Sequence, residues 1–217
     1  MGRCWAVRVV SPTRMPTFRW YRGQKHHSGT YWSSTMKGHV PYESRLELAR
    51  LLFADFDSSV RVIAAQPFLL EKEVLGVRRR SVPDFLLLTG SGPVVVDVKP
   101  QALLSRPEVA RALAWTRDEV EPRGWRYEVW SEPPLVELEC VRFLAAYRRE
   151  WLFDGDLLVR LRSENLDGAR LLGVCRTWTA WPVEVVRAAV LHLMWCGHFV
   201  VDLAHPTGPG HILRIAR

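Results

Sequence analysis

Cysteine is scarce in this chain. There are four, Cys4, Cys140, Cys175 and Cys196, and no two are spaced as a C-x-x-C pair or a zinc set. That pattern excludes a disulfide-stapled scaffold and fits buried or incidental thiols in a reducing cytoplasm. No apolar run is suited to a membrane span. The longest, Ala188 to Ala204, carries His192, His198 and Asp202 and reads as a core element. The start, Met1 to Ala6, lacks the apolar stretch of a signal peptide, so a cytoplasmic protein is expected. A Gly-rich phosphate loop is also missing, and no nucleotide cofactor is expected. His26, His27, His192, His198, His205 and His211 form no i,i+4 metal pair and are expected in the core or on the surface. Repeats and low-complexity tracts are absent.

Acidic residues are missing altogether from residues 1–40, which hold seven Lys or Arg. The whole chain has 217 residues and a net charge of +7, and residues 1–50 alone balance to +7. Residues 51–150 come to −1 and residues 151–217 to +1. The N-terminal cations Arg14, Arg19, Arg22, Lys25 and Lys37 alternate with Phe18, Trp20, Tyr21, Tyr31 and Trp32. Cations meet phosphates, and aromatics stack on bases, so this segment is a candidate contact for double-stranded DNA. A solvated basic arm is the alternative.

Forty-eight per cent hydrophobic content supports a real core. Its most informative part is Ser81 to Leu88 followed by Val94 to Pro100, joined by the turn Thr89 to Pro93. Phe85–Leu88 and Val94–Val96 are continuous apolar runs, as in strands buried on both faces. Charged groups at the end of such strands are costly unless paired or metal-bound. Asp97 and Lys99 are two apart and share a strand face, and Asp84 can reach that face from the neighbouring strand. Two carboxylates and an ammonium suit a divalent metal and a water activated beside it. This is the PD…(D/E)xK pattern of restriction-endonuclease-like nucleases. A third acid comes from the preceding segment, Tyr42 to Phe56, whose apolar residues 46, 49, 53 and 56 have a helical period. Glu43 and Glu47 lie on one face of that helix.

Ser44 to Ala49, Asp57 to Val60, Gln66-Pro67-Phe68, Pro83 to Leu86 and Val98-Lys99-Pro100 follow in that order. Together they resemble the TnsA-like endonuclease subunits of heteromeric bacterial transposases, over about residues 40 to 150. The resemblance implies Glu47, Asp84 and Lys99 as active-site residues, with Asp97 in the middle acidic position, where family members vary. It implies a Mg²⁺ ion, replaceable by Mn²⁺, held by Glu47, Asp84, Asp97 and the Val98 carbonyl. The expected activity is hydrolysis at the 5′ ends of a mobile element, with a DDE transposase subunit (TnsB-like) and an AAA+ ATPase (TnsC-like) as partners and the nucleoid as the place of work. A restriction or phage-defence nuclease is the alternative, and an inactive DNA-binding or scaffolding subunit a further one. Arg78, Arg79 and Arg80, just before Asp84, either hold the scissile strand or form a solvated turn.

The expected fold is α/β, a restriction-endonuclease-like mixed sheet flanked by helices and then a small winged-helix-like domain. The expected division is a basic aromatic segment 1–40, a catalytic domain 41–152 and the C-terminal domain 153–217. Strands are predicted at Val60–Ala65, Phe68–Val74, Val77–Leu88, Val94–Lys99 and Trp125–Ser131, and helices at 42–56, Pro107–Val120 and Leu138–Trp151. Beyond Phe153, helices at Gly155–Glu164 and Pro182–Trp195 flank a short element at Gly168–Gly173, and Phe199–Leu203 pairs with Ile212–Ile215. That order resembles a winged helix, whose near-neutral charge favours protein docking over phosphate binding.

Overall fold

The computed structural model describes residues 27–74 and 76–216, a mixed α/β arrangement with seven α-helices and eight strands among them. The chain divides into two compact units: the first comprises residues up to Asp55 and Ser59–Glu132, the second Phe56–Ser58 and the chain from Pro133 on.

The first unit is built on a four-stranded sheet in the order β3 (Val60–Ala65), β6 (Phe85–Thr89), β7 (Gly92–Val98), β8 (Arg126–Trp130). β3, β6 and β7 are antiparallel, and β8 lies parallel to β7. A parallel neighbour needs a crossover, and α2 (Gln101–Leu104) and α3 (Pro107–Val120) supply it, α3 opening with proline at its first position. Every residue of Val94–Val98 is buried, as the apolar run Val94–Val96 predicts for its first three, and Asp97 is buried with them. On one face Leu86, Val95 and Tyr127 stand side by side and pack with Trp115 and Val120 of α3 and with Phe68 and Leu70. On the other face of β8, Glu128 and Trp130 meet α1 (Arg45–Phe56): Arg50 bonds Glu128 at 3.1 Å, and the Phe53 and Trp130 rings lie 5.9 Å apart.

Two small ribbons complete this unit. β1 (Gly29–Ser33) pairs with β2 (Gly38–Tyr42), so a hairpin occupies the end of the basic aromatic segment and runs on to Tyr42. β4 (Leu70–Val74) pairs with β5 (Val77–Ser81) in a separate sheet. The predicted single strand Val77–Leu88 is therefore two strands. Val82-Pro83-Asp84 breaks it, because proline cannot donate to a ladder and Asp84 turns its carboxylate onto the neighbouring strand.

In the second unit α4 (Leu135–Ala145) starts directly after Pro134 and stops six residues short of the predicted end at Trp151, since the chain tightens into i→i+3 bonds at Tyr147 and Arg148. α5 (Gly155–Ser163) is capped by Asp154, whose carboxylate accepts from the Leu157 N–H at 2.9 Å. α6 (Leu171–Thr177) lies later than the predicted Gly168–Gly173, where Gly168 has φ +81. α7 (Val183–Trp195) buries eight residues, and Phe199 and Leu213 are buried in the same unit. In place of the predicted strand pair there are single antiparallel bridges, Phe199↔Ile215 and Arg170↔Ile212. Among the described residues no helix is long and apolar enough to cross a membrane.

Candidate active site

Asp84 lies between β5 and β6, and Asp97 is the penultimate residue of β7. The antiparallel pairing sets Phe85 opposite Val96 and so brings Asp84 to the end of β7. Asp84 Oδ2 accepts from the Val98 N–H at 2.6 Å and from Lys99 Nζ at 3.3 Å. Lys99 Nζ also donates to the Val98 carbonyl at 3.1 Å. The Lys99 backbone is fixed on both sides: its N–H donates to Trp130 C=O at 2.9 Å, and its C=O accepts from Ser131 Oγ at 2.7 Å. The lysine thus stands at the β7–β8 edge with its ammonium folded back onto Asp84.

Asp97 is 4 % exposed, and the Tyr127 hydroxyl of β8 donates to its Oδ2. Burial raises the Asp97 pKa above the usual carboxylate range; the Tyr127 bond opposes this, and the charge of Asp84 adds to it. The Tyr127 phenol is itself pushed up, first by burial and then by Asp97, so it remains a donor. Tyr127 is a site residue that sequence reasoning missed. A strand returning beside β7 was legible, but the register that puts residue 127 next to Asp97 was not.

Glu47 sits in the first turn of α1. Ser44 Oγ accepts from the Glu47 N–H at 3.1 Å and donates to Glu47 Oε1 at 2.8 Å, and Glu47 Oε2 accepts from the Glu43 N–H at 2.8 Å. This is a capping box, and its Ser-x-x-Glu spacing is plain in the sequence. Burial raises the Glu47 pKa most, and Asp84 and Glu43 add to the rise by repulsion. Glu43 is exposed, and its Oε1 accepts from Gln66 Nε2 at 2.8 Å.

Among the described residues no three His, Cys, Asp or Glu side chains gather as a ready-made metal set. Magnesium asks for less, one or two carboxylates with several waters. Asp84, Asp97 and the Val98 carbonyl are all hard oxygen donors. The repulsion that Asp84 exerts on both Glu47 and Asp97 marks a negative field that a divalent cation would relieve. The donors near Asp84 are hard oxygens of the kind Mg²⁺ takes, whereas both Glu47 oxygens are already engaged in the helix cap.

Of the predicted DNA contacts, Arg14, Arg19, Arg22 and Lys25 lie outside the described residues. Tyr31, grouped with the stacking aromatics, is instead buried, and its hydroxyl donates to Asp55 at 2.7 Å. Arg78, Arg79 and Arg80 are exposed on β5, a strand rather than a turn. Glu71, across the ribbon, takes Arg78 and Arg80 on one face, the latter at 2.9 Å. Arg79 points to the other face, opposite Lys72, which pairs with Glu119 of α3. Ser81, also on that face, accepts from Thr116 Oγ1 of α3 at 3.1 Å.

No protein-family model matches the chain, and no curated protein matches it either.

Proposed function

We propose that this chain is a Mg²⁺-dependent DNA endonuclease of the PD-(D/E)xK type, acting as the TnsA-like cutting subunit of a heteromeric transposase. The observation that carries this reading is the cluster at one end of β7. Asp84 arrives there from the loop before β6, and Asp97 and Lys99 from the end of β7, with the lysine ammonium bonded to Asp84. A mixed sheet with α1 on one face and α3 on the other supports the restriction-endonuclease-like assignment.

Asp84 and Asp97 would hold the ion, with the Val98 carbonyl beside them. The bound ion would supply charge neutralisation at the phosphate and a more acidic water. Lys99 stabilises charge on the attacked phosphate and is not a ligand. Tyr127 holds the Asp97 carboxylate in one orientation. Hydrolysis would leave a 5′-phosphate and a 3′-hydroxyl. The exposed β4–β5 ribbon offers its arginines to the DNA backbone, a contact that positions the strand without reading its sequence.

In the second unit the order α5, a strand-like stretch at Ala169–Leu171, α6, α7, then segments at 198–200 and 212–216 bonded to each other supports a winged-helix reading. Its near-neutral charge favours docking to the transposase partners over phosphate binding. The doubly engaged Glu47 favours a second reading, an inactive scaffolding relative, because the cap leaves that acid less available.

The test is plasmid nicking by the purified chain with Mg²⁺ or Mn²⁺, with and without a partner transposase subunit. Asp84→Asn and Lys99→Ala should each lower cutting by at least ~10²-fold with the fold retained. Cutting by either variant at the wild-type rate would overturn the site, and no cutting by the wild type under any condition would favour the scaffold.

A further inference from the structure

Gln66 closes β3 with φ +45, in the left-handed region that non-glycine residues seldom occupy. Pro67 restricts it further, since a proline limits the backbone of the residue before it. The residue is exposed. Its N–H donates to the Asp84 carbonyl at 2.9 Å, and its side-chain Nε2 donates to Glu43 Oε1 at 2.8 Å. The Glu43 N–H in turn donates to Glu47 Oε2 at 2.8 Å. A continuous tie therefore runs from the backbone of one candidate acid to the carboxylate of another. Exposed hydrogen bonds compete with water and stabilise little, so this tie does not offset the backbone strain. Strain held without a return in stability is the mark of a functional constraint.

Glu47 and Asp84 are both acids, and like charges brought into one site repel. We infer that Gln66 is a positioning residue: its amide clamps the Glu43–Glu47 turn of α1 against the Asp84 loop and holds the two like charges in one site. The inference rests on the nuclease reading for its consequence in cutting, but the clamp itself is testable without cutting.

Gln66→Gly is the informative substitution. Glycine accepts φ +45 without strain and keeps the N–H to Asp84, losing only the side-chain bond. The melting temperature should be no lower than that of the wild type. In metal-free protein, amide hydrogen exchange across Glu43–Leu48 should rise several-fold, with exchange in β6 and β7 unchanged. In the nicking assay kcat should fall about tenfold, KM for DNA should hold, and more Mg²⁺ should be needed for half-maximal rate. Unchanged exchange at Glu43–Leu48, or wild-type kcat with the exchange raised, would overturn the inference. If the wild type does not cut, the nuclease reading fails, and the exchange measurement alone decides whether Gln66 clamps the turn.

Discussion

Glu47 shows how one side chain can serve two ends. In the helix cap its carboxylate accepts from the Glu43 N–H and the Ser44 hydroxyl just before α1; as a half-buried acid near Asp84 it is a candidate ligand. Two substitutions separate these roles. Glutamine removes the charge and can keep the backbone bond, its carbonyl oxygen accepting from the Glu43 N–H and its amide donating to Ser44 Oγ. Glu47→Gln should therefore leave the melting temperature within a degree or two and lower metal-dependent cutting strongly. Glu47→Ala should cost about 0.5–2 kcal/mol of stability as well, the usual loss of a cap. Equal activity of the glutamine variant and the wild type would reduce Glu47 to a helix cap. The same comparison at Glu43, whose carboxylate meets only the Gln66 amide among the described residues, should show the smaller effect on cutting.

At the scale of elements, the β1–β2 hairpin depends on one buried acid. Asp55, 5 % exposed near the end of α1, accepts from Tyr31 Oη, Ser33 Oγ, the Ser34 N–H and Oγ, and the Thr35 N–H. Asp55→Ala would leave several of these donors unpaired away from water. We expect a loss of at least about 3 kcal/mol, read by urea unfolding, because each orphaned buried donor is costly. The β4–β5 ribbon makes the opposite case, a charged surface element. Glu71 neutralises Arg78 and Arg80, so Glu71→Gln should free both and steepen the salt dependence of DNA binding by up to about two phosphate contacts. Arg79→Ala should make it shallower by about one. Unaltered salt slopes in both variants would remove the ribbon from the DNA interface. The ribbon is also where the sequence misleads: Val77–Leu88 reads as one strand, but β5 folds back on β4, β6 pairs with β3 and β7, and Val82-Pro83-Asp84 separates the two. By contrast α3 and β3 have their predicted ends: proline opens α3, and Val60, Val62 and Ile63 give β3 its strand preference.

For the whole molecule, the acids and lysine of the site were legible, since a short motif holds them close in sequence. The partners that orient them were not. Tyr127, Ser131 and Gln66 act through register and backbone conformation, which no local pattern encodes. The predicted strand pair near the C-terminus shrinks to bridges because residues 201–209 run through turns with prolines and glycines that leave few paired positions. The N-terminal charge surplus also needs a different test from the one composition suggests. A truncation beginning at Pro41 would delete the hairpin that Asp55 holds and so confound binding with unfolding. One beginning at His27 removes Arg3, Arg8, Arg14, Arg19, Arg22 and Lys25 and leaves that hairpin in place. It should weaken DNA binding and flatten its salt slope. The same affinity and slope as the full chain would show that those cations do not touch DNA.

The parallel pairing of β7 with β8 carries a consequence for how the protein is made. The groups around Asp84 come from Glu43 at one end to Ser131 at the other, and the Lys99 backbone and the Asp97 carboxylate acquire their Tyr127, Trp130 and Ser131 partners only when β8 docks. On the ribosome, the acids of β6 and β7 emerge well before Tyr127, Trp130 and Ser131 do. A nascent chain or an early-terminated fragment therefore carries the complete motif without an assembled site. Any nuclease capability would switch on late in synthesis, when the crossover through α3 closes.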